Sequence, residues 1–564
     1  MRSSAGTTFL RSRLPLAILA GLLLAASFPK IGIAGLAWIA PALMLAAALG
    51  KRGWESFRIG YVAGLISYLA SLYWLLLIPF RWHSIPLGPA LGWLALSAAL
   101  AFFPATWVWL LSAVHSLHPA VPKLEGDGPA WLPEAFSGLL ARSWAHRTLW
   151  ALSGAAVWVA LEMAMTRVLT GFPWILLGDS QYRQVPLIQI ASLTGVYGLS
   201  FLLVWTSLSL LSAGLMVVLR PRLRSIWLGE IILPFLAVAL AFNYGFRQLA
   251  AEPAPARALK VTLVQPSIPQ TLIWDTSRDL ERFRDLIRLS EQALTNRTDL
   301  LLWPEAAVPS YARWDTNIYP AITNLVRQHH VWLILGSDDV ALRVAPGKPD
   351  RVEYYNASFL VAPDGKFTTR YAKQHLVVFG EYVPLADWLP FLKWFTPIEG
   401  GFTPGTHAVT FALPALGVKT STLICFEDIF SQLGREAAAD DVDFLVNLTN
   451  DGWFDEGAAQ WQQAASALFR SVENGLPLVR CANNGLTCWV DAHGRLRDVF
   501  RDPRGTIYGP GFMTAEIPLP PAGQPRVPTF YNRHGDLFGW LCVGVAVMLA
   551  ARRAWAWRRS PSPV

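Results

Sequence analysis

Eight long apolar runs dictate much of what this chain can become: residues 13–29, 31–49, 57–80, 87–117, 148–169, 186–219, 226–246 and 534–551. About 20 apolar residues in a helix cross the hydrocarbon core of a bilayer. No water is available there, so each backbone N–H and C=O must be bonded within its own segment, which makes such runs helical. The reading is a transmembrane helical domain of about seven spans over 1–250 and a last span with a basic tail over 531–564. Between them, residues 251–530 have the mixed composition of a globular domain. Runs 87–117 and 186–219 are longer than one crossing needs. Arg2, Arg11 and Arg13 ahead of the first run resemble a secretory signal, but further runs follow at once, so an uncleaved helix is expected. With 53% hydrophobic residues, 15% charged residues and a mean hydropathy of +0.35, the composition excludes an ordinary soluble enzyme.

The charges set an orientation. Basic residues near span ends favour the cytoplasmic side. Arg2, Arg11 and Arg13, then Lys51 and Arg52, then Arg220, Arg222 and Arg224, and finally Arg552, Arg553, Arg558 and Arg559 all fall on one side if eight spans alternate. Both termini are then cytoplasmic, and the globular part lies outside. The loop at 118–147 carries both signs of charge and decides nothing. The net charge of +8 follows from these clusters and forms no stripe that would suit nucleic acid. Four cysteines are too few for a disulfide framework. Cys542 lies in the last apolar run, and Cys481 and Cys488 flank an Ala482-Asn483-Asn484-Gly485 turn. Two unpaired strand cysteines are the favoured reading there, with a cross-hairpin pair as the alternative.

Within 251–530, strands are expected at 258–264, 300–303, 331–335, 357–361, 420–424, 444–447, 477–480 and 487–491, with helices at 277–294 and 460–474. Residues 518–528, with five prolines, read as a linker. Three residues at strand ends carry chemistry. Cys425 closes the run Thr420–Ile424, where a thiol is open on one side and backed by backbone N–H groups on the other. A free thiol titrates near ~8.5 and needs a base to become a nucleophile. Glu305, after Trp303-Pro304, suits that base, and Lys373 supplies a fixed cation for an oxyanion. No metal or organic cofactor is required.

Trp303-Pro304-Glu305, Tyr371-Ala372-Lys373 and Ile424-Cys425-Phe426-Glu427 resemble the Glu-Lys-Cys triad of the nitrilase (carbon–nitrogen hydrolase) superfamily over about residues 258–517. With spans before and after, the chain resembles that superfamily's membrane-embedded branch, the apolipoprotein N-acyltransferase family. Further runs agree: Gln265–Gln270 with Trp274, Phe379–Pro384, Asn450–Phe454, Gly171–Trp174 and Thr194–Gly198. The resemblance implies an α-helical polytopic membrane domain plus an α/β nitrilase-like domain, an αββα sandwich. It makes Glu305 the general base, Lys373 the oxyanion stabiliser and Cys425 the nucleophile. Glu381 becomes a second carboxylate supporting the lysine, and Glu427 positions the cysteine loop. Trp274 and Trp453 shape the acyl and headgroup region, though packing alone would account for both. Two residues depart from the pattern: Phe426 stands where tyrosine is frequent, and Gln462-Gln463 where a Gln-His pair is common.

Residues 376–403 are apolar for a loop outside the bilayer, with Trp388 and Trp394 among them. They suit either a lid and lipid entrance at the interface or a loop folded onto the core. The reaction implied has two halves: Cys425 takes an acyl group from a glycerophospholipid, then passes it to the α-amine of a diacylglyceryl-cysteine on a lipoprotein. The implied place is the bacterial inner membrane, with the catalytic domain on the periplasmic side and a monomer as the expected state. A membrane-tethered amidase and a non-catalytic lipoprotein-binding protein are the alternatives.

Overall fold

The computed structural model describes residues 3–78, 87–114, 139–140, 142–219, 227–251, 256–273, 275–343, 350–386, 388–389, 391, 401–439, 441–521 and 526–559. Trp274, Trp394, Arg220, Arg222, Arg224 and most of the loop 118–147 lie outside them. Two compact units divide the chain: 1–73, 92–251 and 534–564 form one, and 74–91 with 252–533 form the other.

The first unit is helical. Its helices are α1 (Ser3–Ala26), α2 (Ala40–Ala47), α3 (Trp54–Ser71), α4 (Gly88–Leu100), α5 (Phe102–Val114), α6 (Trp144–Met165), α7 (Val196–Leu219), α8 (Leu228–Ala250) and a C-terminal helix, Leu537–Arg559. Helix α3 packs on α1 and α5, and α6 packs on α7 and the C-terminal helix. Among the described residues four helices are long and apolar enough to cross a membrane: Gly88–Ser112, Trp144–Met165, Val196–Val218 and Leu228–Ala250. Three shorter apolar helices accompany them, Arg13–Ala26, Val185–Thr194 and Leu537–Arg552.

This differs from eight uniform spans, for local reasons. The run 31–49 breaks into a 3-10 turn at Ala34–Trp38 and the eight-residue α2, only ~12 Å long at 1.5 Å per residue. The run 186–219 is interrupted at Gly195, which adopts a φ of +64° ahead of α7. The run 57–80 stops at Ser71, and Trp74 belongs to the other unit. There its indole N–H donates to Gln462 Oε1 at 3.0 Å, and its ring meets Phe454 edge-on at 4.5 Å. Inside the helical unit Arg147 pairs with Glu230, and Arg167 with Asp536. Glu162 accepts from the Trp158 indole and the Leu177 N–H.

The second unit is built on two six-stranded sheets. The first sheet has the order β12-β1-β2-β3-β4-β5 and the second β11-β10-β9-β8-β7-β6. In chain order the strands are β1 (Arg257–Gln265), β2 (Leu300–Leu302), β3 (Trp332–Arg343), β4 (Arg351–Val361), β5 (Phe367–Ala372), β6 (Thr410–Leu413), β7 (Val418–Ile424), β8 (Phe444–Thr449), β9 (Leu478–Ala482), β10 (Cys488–Val490), β11 (Leu496–Val499) and β12 (Gly511–Leu519). The central strands pair in parallel, β1-β2-β3 and β7-β8-β9. Buried on both faces, they read as unbroken apolar runs, which made them visible in the sequence. Strands β5, β6, β11 and β12 were not, because they are short or half-exposed edge and near-edge elements. The linker expected from Pro518 instead begins after Leu519. Pro518 pairs with Ala258 on an edge strand, where a missing N–H costs no ladder bond.

Val261, Leu302 and Ile334 of the first sheet share one core with Ile424, Val446 and Val479 of the second. Helices α9 (Asp279–Ala293) and α10 (Ile318–His329) cover the first sheet through Phe283, Leu286, Ile322 and Val326. Helices α11 (Ser431–Ala437) and α12 (Ala459–Asn474) pack against β7 and β9 of the second. The result is the αββα sandwich. Cys481 and Cys488 are both free. Register sets Cys488 opposite Arg480, one residue out of step with Cys481, whose thiol instead meets the carbonyls of Val264 and Leu302.

Candidate active site

Three strand ends of the α/β unit bring the candidate groups together, two on parallel-paired strands and one on an antiparallel edge strand. Glu305 follows β2, Lys373 follows β5 and Cys425 follows β7. Each strand is held rigidly in its sheet, so the side chain just past its end is placed by backbone pairing. Lys373 is tied further: its N–H donates to the Asn356 carbonyl at 2.9 Å, and its own carbonyl accepts from Gly405 at 2.8 Å.

Two close approaches allow this. A Cβ on Gly336 of β3 would lie 2.5 Å from the Pro304 carbonyl oxygen and 2.7 Å from Glu305 Cα. One on Gly405 would lie 2.1 Å from the Ala372 oxygen. Glycine at these positions lets backbone pack directly behind Glu305 and Lys373.

Lys373 is fully buried and donates to Glu305 Oε1 at 3.3 Å and to Glu381 Oε1 at 2.9 Å. Asn356 of β4 bridges the same two oxygens, donating to each at 2.8 Å. Glu381 Oε2 accepts from the Val377 N–H at 2.8 Å, which ties the carboxylate to its own loop. The second oxygen of Glu305 is buried and has no hydrogen-bond partner among the described residues. That leaves one basic lone-pair site open beside the lysine.

Cys425 is partly exposed and sits at a φ of +56°, in the left-handed region that a side chain makes costly. The surroundings fix this conformation. Asn447 Nδ2 and Gln463 Nε2 donate to its carbonyl at 2.8 and 3.1 Å. Burial and the Glu305 carboxylate push the thiol well above its ordinary range, while Lys373 pulls it back. The resting sulfur is therefore protonated, and a base must take the proton as it attacks. Burial works against the charge of Lys373, but Glu381, Glu305 and Cys425 outweigh it and raise its proton affinity. The lysine stays an ammonium.

Glu427 is fully buried and accepts four bonds. Oε1 takes the N–H groups of Gln374 and His375 at 2.7 and 3.0 Å, and Oε2 takes the Tyr371 hydroxyl and the Ile424 N–H at 2.9 and 2.7 Å. It fastens the cysteine strand to the segment that carries the lysine. Burial pushes its carboxyl up to about 7, with the bonds from Ile424 and His375 opposing. Behind it, Asp428 accepts from Gln463 at 2.9 Å and pairs with Arg480, which is also bidentate on Asp451.

Of the residues expected here, Glu305, Lys373, Cys425, Glu381 and Glu427 converge. Trp453 is half-buried in a 3-10 turn, Asp451–Phe454. Trp388 is 85% exposed, and Trp274 and Trp394 lie outside the described residues. Phe426, in the frequent tyrosine position, lays its ring 5.4 Å from Lys373 Nζ. Gln463, on the helix where the Gln-His pair is common, holds the cysteine carbonyl. Asn356 and Asn447 were missed. Asn447 had a signal, a polar side chain inside the otherwise buried and largely apolar β8; Asn356 had none, since β4 begins with charged and exposed residues. Among the described residues no group of three His, Cys, Asp or Glu could hold a metal ion.

Comparison with known proteins accounts for both halves of the chain. The carbon-nitrogen hydrolase family matches residues 260–509, and the apolipoprotein N-acyltransferase N-terminal domain matches residues 20–209. An apolipoprotein N-acyltransferase of Geobacter metallireducens is 35% identical over 546 residues, covering 95% of this chain and 94% of its own. One from Bradyrhizobium diazoefficiens is 31% identical over 541 residues, covering 89% and 95%. Among solved structures, an amidase of the nitrilase superfamily from Nesterenkonia AN1 aligns at 16% identity and a TM-score of 0.34, over 48% of this chain and 93% of its own.

Proposed function

The chain belongs to the apolipoprotein N-acyltransferase family, and we propose that it moves a fatty acyl group from a glycerophospholipid, through a thioester on Cys425, to the α-amine of a lipoprotein's diacylglyceryl-cysteine. In the first half, Glu305 takes the thiol proton while sulfur attacks the ester carbonyl. Lys373 faces the oxyanion that forms, a charge best stabilised by donors already in place. The protonated Glu305 then gives its proton to the leaving glycerol oxygen, releasing a lysophospholipid. In the second half, the free amine attacks the thioester, Glu305 takes a proton from nitrogen, and the C–S bond breaks to give the amide. That proton returns to sulfur. A thioester keeps the acyl group activated for an amine, which suits a two-stage transfer.

The observation that carries this reading is the joint placement of Glu305, Lys373 and Glu381, all acting electrostatically on Cys425. Glu381 and Asn356 fix the lysine, and Glu427 fixes the loop of the nucleophile. We assign residues 1–250 and 531–564 to the inner membrane and 251–530 to its periplasmic face, with both termini in the cytoplasm and a monomer as the working unit. The distribution of basic clusters supports that orientation. The exposed Leu385, Trp388, Leu389 and Phe391, a few residues past Glu381, suit a lid that admits acyl chains. Incubation with labelled phospholipid and a diacylated lipopeptide tests the function: label must appear as an amide on the peptide. Release of free fatty acid alone would instead mark an amidase-like hydrolase.

A further inference from the structure

Asp338 and Asp339 are consecutive acids on β3, and adjacent strand residues face opposite sides of a sheet. Asp339 is neutralised: Arg313 donates to both its oxygens at 2.8 and 2.7 Å, and Arg370 pairs with it at 2.9 Å. The carboxylate of Asp338 has no hydrogen bond or ion pair among the described residues. The β3–β4 register sets Asp338 directly opposite Asn356, and side chains directly opposed on an antiparallel pair share one face. Asn356 is the residue that bridges Glu305 and Glu381. Asp338 thus stands on the reactive face, and both catalytic-site carboxylates act on it electrostatically. Its side chain is not fully closed off from the surface.

Glu305 and Glu381 thus divide the ammonium of Lys373 between them, and Asp338 adds a third carboxylate to the same face with no cation of its own among the described residues. An acid kept for stability has its own cations, as Asp339 has, or its own hydrogen bonds, as Glu427 has; the Asp338 carboxylate has neither among the described residues. The excess negative charge asks for a cation that arrives with a substrate, and the acceptor of the transfer proposed above is an amine that is largely protonated in water. We propose that Asp338 receives the acceptor's α-ammonium and takes its first proton, so that the neutral amine can attack the thioester. The inference rests on the transferase reading.

The protons balance. The ammonium gives one proton to Asp338 and becomes the amine. The amine nitrogen then bonds to the thioester carbon, and Glu305 removes the second proton. The C–S bond breaks, sulfur recovers that proton from Glu305, and Asp338 later loses its proton to water. Burial, with Glu381 and Glu305, pushes the Asp338 carboxyl up to about 7. That lies close to an α-amino group at ~7.7–8.0, so proton transfer between them is nearly even.

The test uses the full-length protein with phospholipid and the variant Asp338→Asn. Thioester formation on Cys425 is followed by mass spectrometry, then the acyl-enzyme is discharged either by a diacylated lipopeptide or by hydroxylamine, an amine uncharged at neutral pH. The variant is expected still to load Cys425, and, once loaded, to discharge to lipopeptide about 10–100-fold slower than wild type, the worth of a charge-assisted bond, while its discharge to hydroxylamine matches wild type. Unchanged discharge to lipopeptide, an equal loss with both amines, or a loss of loading would each overturn the proposal. Wild-type loading and discharge, measured alongside, report on the transferase reading separately.

Discussion

Glu427 joins two segments through hydrogen bonds: the strand ending at Ile424 and the turn after Lys373. A glutamine there keeps only one accepting oxygen, so at least two of the four donors, two buried and two part-buried, lose their partner, at ~1–2 kcal/mol each. Glu427→Gln is expected to lower the unfolding free energy by roughly 2–4 kcal/mol and to abolish loading of Cys425, read by denaturant titration in detergent and by intact mass. Unaltered stability would mean the four bonds are not what fastens the loop. At this scale Glu305, Lys373, Cys425, Glu381 and Glu427 were legible because each sits in a motif at or just past the end of a strand, or in the Phe379–Pro384 turn. Asn356 was not. A lone asparagine inside β4 has no periodicity to mark it, and its meaning depends on a loop carboxylate 25 residues further along.

Strands place the chemistry, and glycine places the strands. Gly336 allows β3 to lie against the Pro304-Glu305 turn with no room for a methyl group. Gly336→Ala must push that turn outward. A shift near 1 Å at a reacting group costs about 10²-fold in rate, while overpacking costs only ~1–3 kcal/mol of stability. The expected outcome is a folded protein whose initial rate of thioester formation falls about 10²-fold; a rate within twofold of wild type would show that Glu305 needs no such precision. The loop past Glu381 makes a second claim at this scale. If Trp388 helps admit a lipid tail, Trp388→Glu will slow loading from phospholipid vesicles and spare loading from a short-chain water-soluble ester. Equal rates on both would remove the lid. Helices were read less well than strands here. Hydropathy sees composition but not Gly195 or the 3-10 turn Ala34–Trp38, so continuous apolar runs were expected where the chain bends.

The whole molecule combines an apolar helical unit with an αββα unit whose central strands need both faces covered. That division was visible in composition alone, since the apolar runs and the mixed segment hardly overlap. The exception is Trp74, inside an apolar run yet bonded to Gln462 of the α/β unit, because a tryptophan suits a protein core as well as a bilayer. Putting acyl chemistry on such a chain makes sense if sulfur is loaded from lipid. The direct measurement is mass spectrometry of the purified full-length protein after exposure to isotope-labelled phospholipid. The account requires one labelled acyl group on the peptide that contains Cys425, released by hydroxylamine and absent from Cys425→Ala. An acyl group on any other residue, or one that survives in Cys425→Ala, would contradict it.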